Sequence, residues 1–252
     1  MAGIRTLRLS APRRFIADLM RVSQSMPLVA FHRTMALQPV IAARSEAAAA
    51  GVKIPWSVLI SKAYAQVARR RPELRRCFVR SPWARIAEFP KSIAAIAMER
   101  EYGGELAVFF VQFPEIESES LLESAVRLQR YQSDPVESSG TNRRVLRMSK
   151  YPWPIRPMLW DLAVNWLPSW RQKYLGTFGL SVTAGMGATA VQLLSPQTTT
   201  LHYDAIQPDG TMVMRLTFDH RVLDGGPVAR AMVDLEATLN GEIVEELRGL
   251  IR

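Results

Sequence analysis

The spacing of apolar residues along the chain changes from one segment to the next, and each change predicts an element. Leu28 to Met35 reads as a strand, and Pro39 and Gly51 then bracket an alanine-rich helix. Trp56, Leu59, Ile60, Ala63, Tyr64 and Val67 recur at helical spacing, which predicts a helix with one buried face that stops before Pro72. Apolar runs at 92–98 and 105–113 flank Gly103-Gly104 and predict a strand–turn–strand unit. Ser120 and Glu123 have the spacing of a capping box for a helix through Gln129, with an apolar stripe of Leu121, Leu122, Ala125 and Leu128. Residues 133–144 are polar and read as loop. Strands return at Phe178–Thr183 and Thr199–Ile206, and Pro208-Asp209-Gly210 turns the latter into a third strand, Met212–Phe218. A last helix is expected over Pro227–Leu239, with Val228, Ala231, Met232 and Leu235 facing inward. Strands interspersed with helices predict an α/β sandwich, a sheet packed against helices. Neither a repeat nor a linker divides residues 1–252, so a single domain is expected, opened by a basic, partly helical segment at 1–26.

Composition narrows the partners. Nearly half of the residues are hydrophobic, enough for a substantial core, and the formal net charge is +9. A basic surface suits a phosphate-bearing partner such as coenzyme A, an anionic membrane or nucleic acid; it also describes a merely solvated exterior. Arg69-Arg70-Arg71 and Arg75-Arg76 are the densest basic runs, but no nucleic-acid motif accompanies them, and an exposed helix end explains them equally well. No nucleic-acid partner is therefore expected. The lone cysteine, Cys77, allows no internal disulfide and no multi-cysteine metal site, which points to a cytoplasmic protein. Cys77 is read as core rather than as a thiolate activated by Arg75 and Arg76. Arg5, Arg8, Arg13 and Arg14 break up any secretory signal, and the longest apolar run, Leu106 to Phe113, is too short to span a bilayer.

Candidate chemistry concentrates in Asp219-His220-Arg221-Val222-Leu223-Asp224-Gly225. His220 falls where a strand ends and a helix begins, a place that holds a ring rigidly while leaving one nitrogen free. Its ordinary pKa near neutrality suits a general base; a hydrogen-bonded core histidine is the plainer reading. Asp224, four residues on, can brace the loop, pair with an arginine or tune the imidazole. Gly225 and Gly226 ease the backbone into the helix.

This heptad resembles the signature of the catalytic domain of the 2-oxoacid dehydrogenase complex acyltransferases, the dihydrolipoamide acyltransferases, whose fold is shared with chloramphenicol acetyltransferase. The resemblance extends to Arg13-Arg14-Phe15-Ile16-Ala17, to Gly51-Val52-Lys53-Ile54, to Arg71-Pro72-Glu73-Leu74 and to Gly176-Thr177-Phe178-Gly179-Leu180-Ser181. It covers most of residues 12–240 and is weakest between about 80 and 170. It implies a chloramphenicol acetyltransferase-like two-layer α/β sandwich with a mixed sheet. It also implies His220 as general base, Ser181 as hydroxyl donor to a tetrahedral oxyanion, and Asp224 as a brace for the loop through Arg14 or Arg21. The family site lies between subunits of a homotrimer, so His220 and Ser181 are expected from different chains. Without the family, Ser181 is a strand serine bonded to backbone, and Thr183 excludes a Gly-x-Ser-x-Gly elbow.

The chain also departs from the family. Where the family reads Ile-Pro-His this sequence has Met26-Pro27-Leu28, and no lipoyl-lysine hairpin or Pro/Ala-rich linker stands within it. The expectation is acyl transfer from acyl-CoA to a thiol, hydroxyl or amine acceptor, with coenzyme A as substrate and no bound metal or redox cofactor. The alternatives are service by a lipoyl or acyl-carrier domain in trans, or a non-catalytic scaffold of the same fold, which would not need His220, Asp224 and Ser181 together. Trp153, Trp160, Trp166 and Trp170 crowd into a proline-framed insert at 151–170, with a short apolar helix expected from Met158 to Leu167. Three readings stand for it: a lid or acyl-pocket wall, a packed subunit contact, or a peripheral membrane contact over 153–173.

Overall fold

The structure is a computed structural model that describes residues 3–182 and 190–252. Helix α1 (Ala11–Ser23) is capped by the Ser10 hydroxyl and leads into strand β1 (Leu28–Ala36). Helices α2 (Gln38–Ala49) and α3 (Trp56–Arg70) follow, then a short hairpin of β2 (Arg76–Val79) and β3 (Arg85–Glu88). The long hairpin of β4 (Ile93–Tyr102) and β5 (Glu105–Pro114) turns at Gly103-Gly104, as the sequence predicts. Helices α4 (Leu121–Ser133), α5 (Gly140–Met148), α6 (Ile155–Asn165) and α7 (Pro168–Leu175) come next. Strands β6 (Phe178–Val182), β7 (Thr199–Tyr203) and β8 (Thr211–Asp219) and helices α8 (Gly225–Asn240) and α9 (Glu242–Gly249) complete the described chain.

Six strands form one mixed sheet in the order β1-β8-β7-β6-β4-β5, with β6 parallel to both β4 and β7 and the other pairs antiparallel. Alternation along the strands sends Ile96, Phe178, Leu180, Leu201, Leu216 and Phe218 to one face, where they meet α2, α3, α4, α8 and α9 in the main core. A second cluster, built on Phe15, Leu19 and Trp160, joins α1, α5, α6 and α7 to Phe110 of β5. Gly176 ends α7 with a left-handed backbone, and a Cβ there would stand 2.7 Å from the Ile93 carbonyl. Only glycine lets β6 enter the sheet beside β4 at that point.

Several expectations change. The capping box at Ser120 and Glu123 forms, but Leu122 is 45% exposed and Ser124 takes its place on the buried stripe. Residues 133–144 are not all loop: Ser139 caps α5, whose apolar side carries Val145 and Leu146. The insert helix runs from Ile155 rather than Met158, and α7 follows it. Thr183, the expected end of β6, lies outside the described residues. The arginine runs are engaged within the fold: Arg70 pairs with Glu242, Arg71 with Asp234 at 2.5 Å, Arg76 with Glu88 at 2.9 Å, and Arg75 donates to the Phe89 carbonyl. No helix among the described residues is long and apolar enough to cross a membrane.

Candidate active site

His220 stands one residue past the end of β8, in the turn that enters α8. Its backbone N–H donates to the Pro27 carbonyl at 3.0 Å, and its ring lies against Phe218 with centroids 5.7 Å apart. The preceding residue anchors the turn. Asp219 is fully buried and receives Arg221 through Nε at 2.9 Å and Nη2 at 2.7 Å, while the Arg221 guanidinium lies 4.5 Å from the centre of the Phe78 ring. At Gly225 a Cβ would stand 2.7 Å from Phe31 Cζ, so any side chain there would have to displace the Phe31 ring. The turn is thus held from both sides while His220 remains half exposed.

Asp224 Oδ1 stands 3.5 Å from His220 Nδ1, and Nε2 has no hydrogen-bond partner among the described residues. In this arrangement the ring can accept a proton at Nε2 while Nδ1 faces the carboxylate. Both side chains face solvent, Asp224 at 84% exposure, so their attraction is weak until something excludes water. Within the chain Arg14 and Arg21 are not drawn to Asp224. They surround buried Asp18, together with Arg156 at 3.5 Å; burial raises the Asp18 pKa and the three arginines oppose that rise.

Ser181 lies on β6, on the face opposite the main core. It opens into an apolar pocket of about 390 Å³, walled by Ile16 and Met20 of α1, Val108 and Phe110 of β5, and the 193–197 segment. That volume is in the range of small-molecule sites. Ser181 is not beside His220. It is level with His202, which is level with Arg215 of β8, and His220 follows Arg215 by five residues. At about 3.3 Å per residue and about 4.8 Å per strand, the two side chains of one chain are on the order of 15–20 Å apart.

Two residues near these groups had not been singled out. His202 is buried on β7, its Nδ1 3.0 Å from the Ser181 carbonyl, and its Nε2 accepts from the Ala190 N–H at 3.2 Å. These partners fix the neutral tautomer with the proton on Nδ1, and burial lowers its pKa against the pull of the Ser181 carbonyl and Asp204. Arg171 is buried and donates to the Phe78 carbonyl at 3.0 Å and the Pro196 carbonyl at 2.6 Å, tying the pocket's 193–197 wall to β2. The rarity of histidine could have flagged His202; nothing in the sequence sets Arg171 apart from the other arginines. Cys77 is buried, and burial raises its thiol pKa, the direction opposite to activation.

This mixed sheet with its helices is the chloramphenicol acetyltransferase-like fold. No family model and no curated protein matches the sequence. Among solved structures, a probable dihydrolipoamide acetyltransferase from Listeria monocytogenes superposes with a TM-score of 0.67 at 18% identity, over 95% of each chain. A truncated catalytic core of the 2-oxoacid dehydrogenase complex from Thermoplasma acidophilum gives 0.70 at 16% identity, over 94% of this chain and 99% of that one. A chloramphenicol acetyltransferase gives 0.53 at 16% identity, over 95% and 100%. At these identities the likeness is one of fold, and function has to be argued from the site.

Proposed function

We propose that this chain is an acyltransferase whose active site is completed where two copies meet, with acyl-CoA as donor and a thiol, hydroxyl or amine as acceptor. One observation carries the reading. A half-exposed histidine and a serine opening into an apolar pocket lie two strands and five residues apart on the same sheet, too far apart to serve one carbonyl unless they come from different subunits. A cyclic homotrimer supplies that pairing three times. In the Azotobacter vinelandii dihydrolipoamide acetyltransferase, a serine, a histidine and an asparagine four positions after the histidine are the residues whose catalytic role was investigated. Ser181, His220 and Asp224 stand in the same order here, with aspartate in place of asparagine.

In this mechanism Nε2 of His220 removes the acceptor's proton as the acceptor attacks the thioester carbonyl. The tetrahedral oxyanion accepts a hydrogen bond from the Ser181 hydroxyl of the neighbouring copy. Collapse breaks the carbon–sulfur bond, and the departing coenzyme A thiolate takes the proton back from His220. The apolar pocket receives the aliphatic part of the acyl group or of the acceptor. Asp224 stabilises the imidazolium, more strongly once the subunit contact excludes water.

The test is thiol release from acyl-CoAs of increasing chain length, with a pool of thiol, alcohol and amine acceptors. Acceptor-dependent release that falls by on the order of a hundredfold or more in His220→Ala is expected. Turnover that survives this substitution overturns the assignment. A second reading, favoured by the dihydrolipoamide acetyltransferase cores among the similar folds, is transfer to or from a lipoyl domain on another chain. Acetylation of dihydrolipoamide by acetyl-CoA, without turnover of the other acceptors, would select it. No turnover in either assay would leave the scaffold reading.

A further inference from the structure

Helix α6 is apolar around most of its circumference. Pro157, Trp160, Ala163 and Val164 are buried against α1 and its neighbours. On the other side Ile155, Met158, Leu159, Leu162 and Trp166 recur at helical spacing, and none of them is buried. Trp153, just before the helix, is 72% exposed, and Met158 is 62% exposed. Arg85 extends this face by donating to the Trp166 carbonyl while lying over the ring of Trp83, which is also exposed. Apolar side chains gathered in this way on a surface mark a contact.

Charge identifies what the contact fits. Residues 140–175 hold seven basic side chains and one acidic one, Asp161, which is already paired with Arg80 at 3.1 Å. Arg143, Arg144, Arg147 and Lys150 are exposed and pair with no carboxylate among the described residues. They lie on α5 and at its end, and the chain runs from Lys150 directly into Tyr151 and Trp153. In a twofold contact a second copy would bring the same uncompensated positive charge to this face and be repelled. A nucleic acid would satisfy the charge but leave Ile155, Met158 and Leu162 without a partner. An anionic bilayer satisfies both, because tryptophan and tyrosine settle at the headgroup level, aliphatic side chains enter the acyl boundary, and basic side chains meet the lipid charge.

We propose that the Trp153–Trp166 face, with the basic end of α5, is a docking surface for an anionic lipid bilayer. None of its residues lines the pocket at Ser181, and the proposal does not depend on the acyltransferase reading.

The experiment is co-sedimentation of the full chain with phosphatidylserine–phosphatidylcholine vesicles and with phosphatidylcholine alone, paired with sedimentation velocity to follow oligomer size. Binding to the anionic vesicles is expected, with little to the neutral ones. Trp153→Ser with Met158→Ser changes two solvent-facing side chains and is expected to weaken binding by on the order of tenfold. Arg147→Gln with Lys150→Gln is expected to weaken it roughly 30-fold, about fivefold for each basic side chain near the surface. Thermal melts check that both variants remain folded. Absence of binding to the anionic vesicles overturns the proposal. Binding that only the charge variant weakens also overturns it, leaving a general polyanion surface. An apolar variant that changes oligomer size without affecting vesicle binding overturns it in favour of a contact between copies.

Discussion

If His220 and Ser181 serve one reaction from different subunits, two inactive variants should restore each other. His220→Ala removes the base, and Ser181→Ala removes the oxyanion donor, at costs on the order of a hundredfold and a hundred- to thousandfold. In a trimer mixed at equal proportions, a site is whole when its histidine comes from a Ser181→Ala chain and its serine from a His220→Ala chain. Each condition holds at half of the positions, so about a quarter of wild-type activity should return under random assembly with cyclic symmetry, and about a third in trimers that contain both chains, each of which has one whole site. The sheet register sets this expectation: Ser181 is level with Arg215, two strands away, and His220 lies five residues further on, in a turn fixed by Asp219 and Arg221. No side-chain rotation closes a gap on the order of 15–20 Å. The assay is acceptor-dependent thiol release after co-refolding two differently tagged chains, with double-affinity purification to confirm mixed assemblies. Activity in those assemblies no higher than in either parent would refute an inter-subunit site, because a site within one chain gains nothing from mixing.

Two further predictions concern stability. Gly225→Ala places a methyl 2.7 Å from Phe31 Cζ, and Phe31 is itself held edge-on against Phe218 with ring centroids 5.4 Å apart. The overpacking should cost about 1–3 kcal/mol and lower the melting temperature by roughly 2–10 °C; an unchanged melt would show that Phe31 moves aside freely. His202 has a folded pKa below its unfolded value, so the unfolded chain binds the proton more readily. Its contribution is complete above about pH 6.5 and is lost as pH falls through the depressed folded pKa. Melts of wild type and His202→Gln should therefore converge on acidification, and parallel profiles would remove His202 as the cause.

The fold was readable wherever local pattern and tertiary demand agreed. The β4–β5 hairpin shows this: Gly103 and Gly104 take the turn's positive φ values while the flanking runs alternate onto two faces. Leu122 shows where agreement fails, since composition favours it on the stripe but the helical phase set by Leu121, Ala125 and Leu128 assigns the inward place to Ser124, whose hydroxyl bonds Glu119. Helix α5 was hidden because its only signals are the Ser139 cap and two adjacent apolar residues, too few for a period in a stretch dominated by arginine and serine.

The candidate site divides along a similar line. His220, Asp224 and Ser181 could be nominated because a contiguous heptad and a strand motif carry them, and short motifs survive in sequence when the rest of a chain has diverged. Their supports were not found because they work through long-range geometry. Arg171 matters through two carbonyls, at Phe78 and Pro196, that come together only after β2 and the 193–197 segment are placed. His202 acts through a strand neighbour 21 residues away. Arg14 and Arg21 were nominated for Asp224 by the family resemblance; within one chain α1 carries them on the same helix as Asp18, at helical distances of four and three residues. A buried carboxylate one turn away competes for these guanidinium groups more effectively than an 84% exposed one. In the trimer proposed above, an arginine partner for Asp224 would come from the neighbouring copy, at a contact that excludes water.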